Sequence, residues 1–150
     1  MPQTVQEILD DKPPRGTRLH AVSPASPVRD AVAIMVREDI GSVVVLEDGE
    51  LAGLVTLREI VKGLESLGGR LLESPVRDVM NAKPAVVRPE DSADSLRTTM
   101  TDHHVSHVPV VLGGALVGII SFHDIARSAI KDVAFENKLL KQYIKNWPAS

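Results

Sequence analysis

The stretch Ser42-Val43-Val44-Val45-Leu46-Glu47-Asp48-Gly49-Glu50-Leu51-Ala52-Gly53-Leu54-Val55-Thr56-Leu57-Arg58-Glu59 decides the fold, because its pattern returns 65 residues further on. There it reads His107-Val108-Pro109-Val110-Val111-Leu112-Gly113-Gly114-Ala115-Leu116-Val117-Gly118-Ile119-Ile120-Ser121-Phe122-His123-Asp124. Each copy sets two apolar runs around Asp-Gly or Gly-Gly, dipeptides that accept the positive φ of a tight hairpin turn. Each hairpin ends in a hydroxyl residue, Thr56 or Ser121, that suits a helix N-cap. An acid, Glu59 or Asp124, follows three positions later.

Outward from the hairpins the match continues without a gap, residues 24–61 lying over 89–126. Pro24 meets Pro89, Met35 meets Met100, and Ile60 meets Ile125. A helix is expected from Ser26-Pro27, with Val28, Ala31, Val32, Met35 and Val36 at helical spacing. Its counterpart starts at Asp91-Ser92 and carries Ala93, Leu96 and Met100. A short strand is expected before each, near Leu19–Val22 and Ala85–Val87. Each copy opens on a short helix. Thr4-Val5-Gln6-Glu7 is a capping-box pattern, and Ser74-Pro75-Val76-Arg77-Asp78-Val79-Met80 places Pro75 at the first helical position. The order α-β-α-β-β-α, twice over, predicts an α+β fold with small mixed sheets. A duplication of this size implies two supersecondary units that bury their apolar faces against each other. The expected division is repeat one over 5–66, a linker over 67–74 around Gly68-Gly69-Arg70, repeat two over 75–130, and a C-terminal amphipathic helix over 131–150.

Composition narrows the function. The chain has 150 residues, 43% of them hydrophobic, enough to bury a core. A net charge of −3 argues against a general nucleic-acid binder. The absence of cysteine excludes disulfides and thiol chemistry and fits a reducing cytoplasm. The N-terminus shows no signal-peptide pattern, and no apolar run is long enough to span a bilayer. A soluble cytoplasmic domain is expected. The aromatic residues Phe122, Phe135, Tyr143 and Trp147 all lie from 122 onward, so the repeats pack on aliphatic side chains.

The two corners, Gly53-Leu54-Val55-Thr56-Leu57-Arg58-Glu59 and Gly118-Ile119-Ile120-Ser121-Phe122-His123-Asp124, hold the chemistry. A helix N-terminus presents free N–H groups that attract phosphate, and a carboxylate there can accept both hydroxyls of a ribose. Each corner is therefore a candidate nucleoside-phosphate site. With both corners in a duplicated frame, and with His107-Val108-Pro109-Val110-Val111, the chain resembles the CBS-domain family, specifically a stand-alone tandem pair (a Bateman module). The resemblance implies a regulatory or sensor module that binds an adenosine-containing ligand (AMP, ADP, ATP, NAD or an S-adenosyl compound), with no required cofactor and no catalysis. It also implies a module that usually dimerises.

Carried onto this chain, the resemblance implies two clefts between the repeats. The cleft served by Asp124 takes Ile119 and Ser121 from repeat two. From repeat one it takes Thr17, His20, Ala21, Ile40, Gly41 and Ser42. The cleft served by Glu59 takes Leu54, Thr56 and Arg58, with Pro84, Ala85 and Val86, and with Val105, Ser106 and His107. Arg58 and His107 are its expected phosphate partners. Glu59 stands where the family usually has Asp, and Ser106 and His107 stand where relatives often carry a basic residue. The Asp124 cleft is therefore the expected ligand site.

Other chemistries fit less well. His103-His104-x-x-His107 has metal-ligand residues, but the repeat alignment ends a helix near His104 and starts a strand near His107, so the spacing is not helical. Ser121, His123 and Asp124 are too close in sequence for a Ser-His-Asp triad. No phosphate-binding Gly-rich loop of the Gly-Lys-Ser/Thr type is present. In the tail, Phe135, Leu139, Leu140, Tyr143, Ile144 and Trp147 recur at helical spacing. They serve either to pack on their own domain or to hold a homodimer. The alternative function is a homodimeric protein-interaction module whose nucleotide clefts have decayed. In either case an unidentified regulated protein is the expected downstream partner.

Overall fold

The computed structural model describes residues 3–12 and 19–145. The first repeat runs α1 (Val5–Asp10), β1 (Ala21–Val22), α2 (Val28–Glu38), β2 (Ser42–Glu47), β3 (Glu50–Thr56) and α3 (Leu57–Leu67). The second contributes α4 (Ala93–His103), β4 (His107–Leu112), β5 (Ala115–Ser121) and α5 (Phe122–Lys145). The α+β architecture of two repeats agrees with the reading from sequence.

The hairpins are superposable in register. Ser42 faces Thr56 in the β2–β3 pair, and His107 faces Ser121 in β4–β5. The turns take positive φ at Asp48 and Gly49, and at Gly113 and Gly114. β1 adds to β2 in parallel, giving a three-stranded sheet beside the two-stranded one. Both α2 and α4 end on a left-handed residue, Asp39 and His104, and neither is glycine. The equivalence of two strained ends is a backbone signature of the duplication.

Each half is completed by the opening segment of the other. Val5 and Ile8 of α1 are buried with Ala93, Leu96, Val108, Val110, Ile120 and Ile125 of the second repeat. Backbone hydrogen bonds hold α1 there, Val5 N–H to Asp91 at 2.8 Å and Ala93 N–H to Gln3 at 2.8 Å. Reciprocally, Val76 is buried with Val28, Ala31, Met35, Val43, Val45 and Val55. The Val28 N–H donates to Ser74 at 2.8 Å, and the Val76 N–H to Ser26 at 2.7 Å. Two equivalent glycines permit the close approach. A Cβ at Gly118 would lie 2.8 Å from Leu9 Cδ2, and one at Gly53 would lie 2.7 Å from Met80 Sδ and 2.9 Å from the Asn81 carbonyl.

Two details depart from the sequence reading, and a third describes the linker. The second opening segment is a single 3-10 turn, Val76–Asp78, with Pro75 capping it in extended backbone. Asn81 exchanges both backbone hydrogen bonds with Leu54, at 2.9 and 3.0 Å, which draws the chain straight onto β3 and leaves no room for another helical turn. The strand expected at Ala85–Val87 is reduced to one parallel bridge from Val87 to Val110. The linker is structured: Gly68–Glu73 forms a 3-10 helix whose Leu71 is 2% exposed. In the tail, the side chains of Phe135, Leu139, Tyr143 and Ile144, and all of Trp147, lie outside what is described, as does Thr17. No helix among the described residues is long and apolar enough to cross a membrane.

Candidate functional site

Two clefts lie between the repeats, one at each corner. The larger, of about 710 Å³, brings Ile119, Ser121 and Asp124 against His20, Ile40, Gly41 and Ser42. The smaller, of about 360 Å³, gathers Leu54, Thr56, Arg58 and Glu59 with Pro84, Ala85, Val105, Ser106 and His107. Ala21 and Val86, both expected in a cleft, are not among the lining residues; Ala21 belongs to β1 and Val86 is 45% exposed.

Asp124 is placed by its corner. β5 ends at Ser121, and the Asp124 carboxylate reaches back to accept the Ser121 N–H at 2.8 Å. The Ser121 hydroxyl accepts the Asp124 N–H at 3.1 Å, completing a reciprocal cap. Asp124 is 4% exposed, and it is not alone. Lys12 Nζ lies 2.9 Å from its Oδ2, and Arg127 donates to its Oδ1 at 3.0 Å. Lys12 also donates to the Ile119 carbonyl at 2.7 Å. Burial by itself would raise the Asp124 pKa. The Ser121 N–H, the Lys12 ammonium and the Arg127 guanidinium outweigh it and hold the carboxyl below the usual value.

Glu59 solves the same corner differently. Its extra methylene lets one oxygen, Oε1, accept both the Thr56 N–H at 2.8 Å and the Thr56 hydroxyl at 2.7 Å. The carboxylate is folded into a capping box with Thr56. Beside it Arg58 donates to the His104 carbonyl at 3.1 Å, and Lys62, His103 and His104 line the same cleft.

His107 belongs to both clefts, where the sequence placed it in one. Its ring packs on the bare backbone of Gly41, where a Cβ would lie 3.0 Å from Cε1. Its Nδ1 shares a hydrogen bond with Ser106 Oγ at 2.9 Å. Burial pushes the imidazole below its ordinary value; Asp124 opposes this, Lys12 reinforces it, and Glu59 opposes it weakly. His103, His104 and His107 do not share one helix face. α4 ends at His103, and among the described residues no group of three His, Cys, Asp or Glu could hold an ion.

Sequence reasoning missed the two cations on Asp124. Arg127 was within reach of it, since residues three apart on a helix are neighbours. Lys12 comes from the other repeat, and nothing in the local sequence marks it.

The family model for the CBS domain matches residues 5–66 and 76–131. The mitochondrial CBS domain-containing protein CBSX3 of Arabidopsis thaliana is 30% identical over 123 residues, which is 79% of this chain. The chain spans 60% of that relative's length. Among solved structures, a protein with CBS domains from Burkholderia ambifaria aligns with a TM-score of 0.81 at 34% identity, over 87% of this chain and 96% of that one. The structure of CBSX2 in complex with AMP aligns with a TM-score of 0.71 at 25% identity, over 86% of this chain and 97% of that one.

Proposed function

This chain belongs to the CBS-domain family, and we propose that it is a non-catalytic regulatory module that binds an adenosine-containing nucleotide in the cleft served by Asp124. One observation carries the reading: a buried carboxylate stands at the N-terminus of α5, facing a cavity of about 710 Å³ between the repeats. A carboxylate there offers two acceptors to a ribose diol, and Gly41 with the His107 ring packed on it lines the same cavity. The relative bound to AMP supports an adenine nucleotide as the ligand class, and ADP, ATP, NAD and S-adenosyl compounds share the same recognised part. The Glu59 cleft is smaller, and its acid is folded onto Thr56, so we assign it no ligand. A regulated protein is the partner this reading calls for, and a cytoplasmic setting fits the cysteine-free chain.

A thermal-shift panel of AMP, ADP, ATP, NAD and S-adenosylmethionine tests the reading. A ligand of the folded state at 100 times its dissociation constant adds about 2.7 kcal/mol. No shift from any of the five at millimolar concentration would overturn it.

A second reading, a homodimeric interaction module with decayed clefts, is favoured by one surface. Leu57, Val61 and Leu64 share a face of α3 and are 61%, 64% and 56% exposed. At the equivalent start of α5, Phe122 is 65% exposed. We propose that this face receives a second copy of the chain. A blank ligand panel from a chain that is dimeric in light scattering would select this reading over the first.

A further inference from the structure

Lys12 sits where the ligand of the Asp124 cleft would have to go. Its ammonium is bonded to Asp124 Oδ2 at 2.9 Å and to the Ile119 carbonyl at 2.7 Å, two of the acceptors that a nucleoside would use. The pair is well enclosed, with the side chains 12% and 5% exposed. A ribose diol can take Asp124 only by displacing this ammonium and loosening the Arg127 contact. Two cations are then left in the cleft without their anion. Of the other acids on the wall, Asp10 accepts from Gln6, Glu38 is paired with Arg37 and near His20, and Asp39 stands at the left-handed end of α2. Arg127 adds an independent sign of an absent acceptor, because its Nε is buried with no hydrogen-bond partner among the described residues.

We propose that Lys12 is the specificity-determining residue of this cleft. It admits an adenosine ligand that brings its own anion beside the ribose, a nucleoside 5′-phosphate, and rejects neutral or cationic adenosine compounds. The proposal rests on the nucleotide reading above and narrows it. An incoming phosphate replaces Asp124 as partner for the displaced ammonium and for the terminal nitrogens of the Arg127 guanidinium, and charge-assisted contacts of this kind are the stronger hydrogen bonds. Adenosine offers the diol without the replacement anion. S-adenosylmethionine brings a sulfonium toward two cations and is disfavoured further.

Calorimetric titration of AMP, adenosine and S-adenosylmethionine into the full chain and into Lys12→Met tests this. The wild type should prefer AMP. Lys12→Met should bind adenosine more tightly and cut the AMP-to-adenosine preference by about tenfold or more. Lys12→Gln serves the same purpose if thermal melting shows that the Met variant does not fold. An unchanged preference in the variant, or a wild type that prefers adenosine or S-adenosylmethionine, overturns the proposal while leaving the nucleotide reading intact. No heat from any ligand with either chain overturns both.

Discussion

The Asp124 and Glu59 corners are built from the same turn, the same hydroxyl cap and the same helix start, yet they differ in what the acid does. Asp124 is short, and its Oδ2 accepts the Ser121 N–H and holds the Lys12 ammonium while its Oδ1 holds the Arg127 guanidinium. Glu59 is one methylene longer and spends a single oxygen on both the N–H and the hydroxyl of Thr56. One corner has become a charged site that a ligand can compete for. The other has become a helix cap. Duplicated frames diverge at single side chains while the backbone stays put, and here the divergence concerns how far a carboxylate reaches.

The largest test of this contrast is stability. Asp124→Ala leaves Lys12 and Arg127 without their shared anion and should lower unfolding free energy in urea by about 2–3 kcal/mol, below the full cost of stranding a buried charge because both cations are partly exposed. Glu59→Ala removes only a cap and should lose about 1 kcal/mol. Equal losses would erase the distinction between site and cap.

The glycines at the exchanged segments give the next effect. Gly53→Ala drives a Cβ against the Asn81 carbonyl at 2.9 Å, a backbone atom tied to β3, whereas Gly118→Ala meets the flexible end of Leu9. Losses of about 2 kcal/mol and about 1 kcal/mol are expected in the same denaturation experiment. The reverse order would mean that α1, not the Met80–Asn81 segment, is the more rigid of the two crossings.

Much of this was legible beforehand. The period of 65 residues can be read because the match needs no gap, and the positive-φ turns and hydroxyl caps because each depends on residues adjacent in sequence. The exchange of opening segments was not legible, since Val5 and Val76 look equally suited to their own repeat, and only the assembled core shows which face they fill. Lys12 reaches Asp124 across more than a hundred residues of chain, so no local spacing marks it. The double membership of His107 depends on Gly41 leaving the space for its ring. The second opening segment fell short of a helix because its hydrogen bonds go to β3, a tertiary contact that outweighs the local Pro-first pattern.

A smaller effect comes from shortening the longer acid. Glu59→Asp cannot reach the Thr56 hydroxyl and N–H with the same oxygen, and should resemble the Ser121–Asp124 corner at a cost within about 1 kcal/mol. The expected gain is a second bound nucleotide per chain in calorimetry. Unchanged stoichiometry and affinity would show that the smaller cavity, not the acid, sets the difference.

The smallest effect is with pH. His107 is held neutral in the folded chain, so its contribution is intact above its ordinary value of 6.5 and is lost as the pH falls through the window beneath it. Asp124, held below its ordinary 3.8, contributes above that value and loses its contribution only at lower pH. His107→Gln should flatten the urea midpoint between about pH 7 and pH 5 and leave the more acidic loss in place. A midpoint that falls as before in the variant would place the titration elsewhere.

Titration calorimetry of AMP into the wild-type chain, Asp124→Ala and Glu59→Ala tests the central assignment most directly. One AMP per wild-type chain is expected, with affinity unchanged in Glu59→Ala and weakened in Asp124→Ala by about 2–4 kcal/mol, or roughly 30–1000-fold. Asp124→Ala binding AMP as tightly as the wild type would contradict it.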